Sequence, residues 1–128
     1  MLRCYLEREN HSEEDDDAVG LHYAENLRNG ILKEGADSVL AFSYEPVGGA
    51  STGALVAPST FHRRIQEICR EFGILLILDE VMTGVGRTGK FLAAEHWQIE
   101  PDMIALSKGL AAGYSPLGAM LASNRLVD

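Results

Sequence analysis

Residues 74–78 read ILLIL and run straight into two carboxylates, Asp79 and Glu80. Five apolar residues without alternation fit a strand covered on both faces, as in a parallel sheet with helical layers. Residues 103–106 (MIAL) repeat that character ahead of Ser107-Lys108, and residues 117–122 offer a weaker strand. An earlier run, residues 39–42, leads to Tyr44-Glu45-Pro46, where proline stops the strand. Between the first two strands lies the clearest helix, residues 59–72. Phe61, Ile65, Ile68, Cys69 and Phe72 form one stripe, with His62, Arg63, Arg64, Glu67 and Glu71 off it and Gly73 as its stop. From Ala18, helical spacing recurs through Leu21, Ala24, Leu27 and Ile31, and Gly35 sits where that helix ends. Strand, helix, strand, segment, strand predicts an α/β fold: part of a mostly parallel sheet with helical crossovers.

The 128 residues are one domain's worth. The acid run EEDDD at residues 13–17 repels itself and lacks apolar partners, so residues 1–17 are expected to form a solvated, mobile acidic surface segment ahead of a folded domain spanning residues 18–128. A net charge of −8 disfavours nucleic acid and anionic membrane surfaces as partners. Cys4 and Cys69 are too few for a disulfide framework or thiolate metal site. His11, His22, His62 and His96 show no metal-ligand spacing and read as surface or helix-face residues, so no metal is expected. No run reaches the length of a membrane span and no signal-peptide core follows Met1, so a cytoplasmic location is expected. Residues 47–57 (VGGASTGALVA) form a small-residue loop, open to both a connector and a ligand-loop reading.

Ligands of parallel sheets gather beyond the carboxyl ends of strands, and Glu45, Asp79 and Lys108 each fall at such an end. Three chemistries compete there. ILLILDE resembles a Walker B strand and residues 84–90 (GVGRTGK) most of a phosphate loop, but Phe91 replaces the magnesium-binding hydroxyl and the loop follows the acid strand instead of preceding it. Gly84, Gly86 and Gly89 satisfy G-x-G-x-x-G, yet residues 79–83 separate them from the strand and Asp102 follows Pro101 rather than a second strand. A pyridoxal phosphate site needs a lysine for a Schiff base and a carboxylate to keep the ring nitrogen protonated, and Lys108 and Asp79 suit those roles. A structural ion pair between the same two residues is the competing reading.

At these residues the chain resembles the class III, ornithine aminotransferase-like family of fold-type I pyridoxal phosphate enzymes. The resemblance is carried by Glu45-Pro46-Val47, by LLILDEVMTGVGRTGKF at residues 75–91, by Pro101-Asp102 with the apolar run after it, and by SKGLAAGYSPLGAM at residues 107–120. It implies that Lys108 is the Schiff-base lysine, that Asp79 pairs with the pyridine nitrogen, and that Val81 packs on the ring face. Met82 stands where many members carry a glutamine that bonds the cofactor's phenolic oxygen, a contact methionine cannot make. Glu45 matches the Glu-Pro glutamate, of the substrate site or structural. Ala50 replaces a second glutamate that ornithine- and 4-aminobutyrate-type members pair with a substrate-binding arginine, which favours amines or ω-amino acids with pyruvate-like acceptors.

The resemblance further implies pyridoxal 5'-phosphate as cofactor, transamination from an amine donor to a keto-acid acceptor, and a homodimer. Family members are several times longer, so it implies that this chain is the middle of the large cofactor domain, without the loop that grips the phosphate. A decarboxylase or aminomutase on the same scaffold, and an inactive truncated chain, are the alternatives. A truncated chain is expected to bind the cofactor weakly and to aggregate through exposed apolar surface.

Overall fold

In the computed structural model, residues 13–127 are described. Cys4, His11 and the first twelve positions of the expected acidic segment lie outside them.

Helix α1, Glu13–Glu34, ends at Gly35, whose positive φ of 87° is a conformation that glycine adopts freely and other residues disfavour. The acid run of residues 13–17 thus forms the helix's first turns, where the sequence suggested a loop. Acidic residues in a helix's first turns, such as Asp16 and Asp17, are favoured by the partial positive charge of its unsatisfied backbone amides. Strand β1, Ala41–Tyr44, begins two residues later than the apolar run at Val39 suggested. Helix α2, Ser59–Phe72, has the expected bounds and closes on Gly73 at φ 66°. Strands β2, Leu75–Asp79, and β3, Met103–Leu106, follow their apolar runs, and β4 spans Ala119–Ala122.

The sheet order is β1-β2-β3-β4, parallel through the first three strands and antiparallel at β4. Asp102 locks the entry to β3. Its Oδ2 accepts the Leu76 amide at 2.8 Å, its own amide donates to the Leu76 carbonyl at 2.8 Å, and Arg125 Nε donates to Oδ1 at 2.6 Å.

Helix α2 packs on the sheet, and α1 packs against α2. Ala24 and Ile31 of α1, Ile65, Ile68 and Cys69 of α2, Tyr44 of β1, and Leu76 and Leu78 of β2 form the core, joined by Ala94 and Ile99. Ile65, Ile68, Leu76 and Leu78 are fully buried, each contributing about 1.5–3 kcal/mol of transfer free energy. Leu75, Ile77 and Asp79 point to the other face and are half-buried, so β2 alternates where a two-sided covering was expected.

His62 corrects the histidine reading. It is fully buried rather than on a helix surface, with its ring stacked on Trp97 at a centroid distance of 3.9 Å and its Nδ1 3.0 Å from the Tyr44 hydroxyl. Trp97 is a packing residue, partly buried against the core.

Candidate active site at the carboxyl ends of the strands

Because β1, β2 and β3 run parallel, their carboxyl ends share one edge of the sheet. Glu45 follows the end of β1, Asp79 is the last residue of β2, and Lys108 opens a short turn, Lys108–Leu110, after β3. Asp79 is in register with Ala105, which Leu106-Ser107-Lys108 follow. The three charges proposed from strand ends are therefore brought to one edge by topology alone.

A cleft of about 410 Å³ opens there. Glu45 and Asp79 share its wall with Tyr44, Phe61, Gly48 and Gly49, whereas Lys108, Val81 and Met82 do not line it. The glycine-rich loop thus faces this cleft. It is pinched by pairing of Val47 with Val56 and by a 2.7 Å bond from the Gly48 amide to the Leu55 carbonyl. Gly49 is needed for space: a Cβ there would lie 2.7 Å from Glu45 Oε2. Ala50 begins the Ala50–Thr52 turn at the cleft rim and is exposed.

Asp79 Oδ1 accepts the Val81 amide at 3.0 Å. Among the described residues no ion pair joins Asp79 to Lys108 or to any other cation, so the structural ion pair is not made. Lys108 is exposed, while Val81 and Met82 are half-buried. A carboxylate left to face the cleft and an exposed amine on the next strand end fit a group that needs one partner of each kind.

Behind the cleft, the Tyr44 phenol is held well above its ordinary range by burial, with the nearby Cys69 and Glu80 adding to the effect. Burial likewise pulls the His62 imidazole down to about 4.

Sequence reasoning passed over Glu80. It is fully buried, and its carboxylate accepts the Thr83 hydroxyl, the Ala93 amide at 3.0 Å and the Ala94 amide at 2.8 Å. Alternation was the available signal, since position 80 continues the inward series of Leu76 and Leu78.

The aminotransferase class-III family model matches residues 2–128. An uncharacterized aminotransferase of Bacillus subtilis is 40% identical over 97% of this chain and 28% of its own length. The chloroplastic gamma aminobutyrate transaminase 3 of Solanum lycopersicum is 40% identical over 90% of this chain and 22% of its own. Among solved structures, an (S)-enantioselective omega-transaminase from Thermomicrobium roseum superposes with a TM-score of 0.83 at 38% identity, over 88% of this chain and 25% of that one. An amine transaminase from an uncultivated Pseudomonas species, in a pyridoxal phosphate-bound form, gives 0.83 at 42% identity, over 87% and 25%. The chain spans about a quarter of the length of these relatives.

Proposed function

The chain belongs to the class III aminotransferases, and on that premise we propose that it contributes the cofactor-anchoring residues of an enzyme that transfers an amino group from an amine or ω-amino acid to a keto acid, using pyridoxal 5'-phosphate. The observation that carries this reading is the placement of Asp79 and Lys108 at the carboxyl ends of adjacent parallel strands, with no ion pair between them among the described residues.

When bound, the cofactor supplies a protonated ring that accepts electrons from the substrate carbon. Asp79 would take the ring nitrogen as donor, its carboxylate already oriented by the Val81 amide. Lys108 would hold the group covalently through Nζ, and its amine would serve to move the proton at the donor's reacting carbon. Val81 would pack on one ring face. Met82 has no group to offer the phenolic oxygen, and Glu45 serves the substrate side or the architecture of the cleft.

Ala50 in place of a second glutamate favours amine and ω-amino acid donors. The names of the solved relatives support that class. Our reading places residues 18–128 in the large cofactor domain of a cytoplasmic homodimer. Among the described residues no helix is long and apolar enough to cross a membrane.

In the enzyme that carries this chain, Lys108→Ala abolishes amino transfer and covalent trapping of pyridoxal phosphate by borohydride. Retained turnover in that variant overturns the assignment.

A further inference from the structure

We infer that Glu80 is the positioning residue that sets Lys108 relative to Asp79, by fixing both ends of the segment on which the Lys108 turn rests. This rests on the roles given to Asp79 and Lys108 above.

Glu80 has no cationic partner among the described residues. Its charge is met by hydrogen bonds from the Thr83 hydroxyl and the amides of Ala93 and Ala94, so the chain returning at Ala93–His96 is pinned to the end of β2. The backbone of Glu80 is engaged as well. Its amide donates to the Ala105 carbonyl of β3 at 3.0 Å, and its carbonyl accepts the Gly84 amide at 2.7 Å. One residue thereby ties β3, the start of the segment and its far end.

The seat of Lys108 lies inside that tied segment. Gly84 is wedged where a Cβ would lie 2.6 Å from Leu106 Cδ2 and 2.8 Å from the Glu80 carbonyl. Gly109, next to Lys108, is pressed so closely on this segment that a Cβ on it would lie 3.1 Å from Val85 Cβ and 3.3 Å from the Gly84 carbonyl. Val85 itself has φ 59°, a conformation disfavoured for a β-branched residue that persists only where its surroundings over-determine it. Its amide donates to the Phe91 carbonyl at 2.7 Å, which closes the segment back on itself just before the residues that Glu80 holds. Loosening the Glu80 carboxylate frees the returning chain, lets Val85 relax, and shifts the surface that Gly109 rests on. The Asp79 backbone, paired to Ala105 of β3, does not move with it.

The test uses Glu80→Gln in the enzyme that carries this chain, at a temperature where circular dichroism shows variant and wild type equally folded. Glutamine keeps the shape but puts an NH2 group where an acceptor is needed. Expected in the cofactor-free protein is hydrogen exchange faster by about tenfold or more over residues 81–92, the scale of one lost charge-assisted hydrogen bond. With added pyridoxal phosphate, borohydride trapping at Lys108 slows by a similar factor. In turnover, kcat falls about tenfold while KM for the amine donor stays within about twofold, the split expected of a residue that acts on the reacting geometry. A variant that melts lower but traps and turns over like wild type overturns the proposal and leaves Glu80 a purely structural anchor. Should Glu80→Gln fail to fold, Thr83→Val carries the test, with slower trapping supporting the proposal and unchanged trapping overturning it. Undiminished trapping in Lys108→Ala would instead overturn the reading of Lys108, whatever Glu80 does.

Discussion

The Tyr44 hydroxyl and the His62 Nδ1 lie 3.0 Å apart in the core, and the same imidazole stacks on Trp97. Burial favours the neutral ring, pulling His62 from its ordinary 6.5 to about 4, with the Ala57 backbone offsetting only part of that effect. A lowered imidazole contributes stability that is complete above the unfolded value and is lost as pH falls from 6.5 toward 4. At about 1.4 kcal/mol per unit, the loss across that window is on the order of 3 kcal/mol. Urea midpoints taken at roughly pH 7, 5 and 4 should fall accordingly, and His62→Leu should flatten the slope. An equally steep slope in that variant would show that other groups cause the acid lability.

Asp102 joins two strands through a side chain. Replacing it by alanine removes the acceptor of the Leu76 amide inside the sheet and the partner of Arg125. One orphaned buried donor costs about 1–3 kcal/mol, so Asp102→Ala should lower unfolding free energy by at least that scale. Arg125 is largely exposed, and Arg125→Ala should cost less because water replaces its contact. The opposite ranking in urea titrations would mean that the Leu76 bond carries little.

The strand ends were readable because runs such as ILLIL stop at charges, and because parallel topology then sends Glu45, Asp79 and Lys108 to one edge without further information. Helix α2 was readable from its stripe and Gly73. His62 was misplaced because a polar side chain beside that stripe looks solvent-facing until Tyr44 and Trp97, from other elements, are known to close over it. The start of β1 was misplaced because Leu40 is apolar yet largely exposed, so local hydrophobicity carried the expected strand two residues too early. Glu80 stayed hidden for a related reason. Its partners Ala93 and Ala94 are separated from it by a glycine-rich segment whose closure no periodicity reports.

Two glycines should respond to alanine with opposite signs. At Gly84 the added methyl meets the Glu80 carbonyl, which cannot swing away as a side chain can, and overpacking of this kind costs about 1–3 kcal/mol. Gly30 lies inside α1 with nothing within 4 Å of the added atom. There the substitution should stabilise by about 0.5–1 kcal/mol through the better helix propensity of alanine. Denaturant midpoints of both variants check the contrast. A neutral Gly84→Ala would show that the segment beneath Lys108 is softer than its packing indicates.

Asp79→Asn separates the catalytic reading from a structural one. Asparagine keeps the shape, and its Oδ1 can still accept the Val81 amide, so the local turn survives. No ion pair is lost among the described residues, and folding stability should change little. What disappears is the negative charge that would hold a proton on the cofactor's ring nitrogen. Losing one preorganised electrostatic partner of a reacting group commonly lowers kcat by about 10²–10³-fold, and the same scale is expected here. The result that would reverse this reading is specific: Asp79→Asn and Lys108→Ala each lowering the melting temperature by similar amounts, with amino transfer in Asp79→Asn near the wild-type rate. That pattern is the signature of two charges that meet each other rather than a shared cofactor.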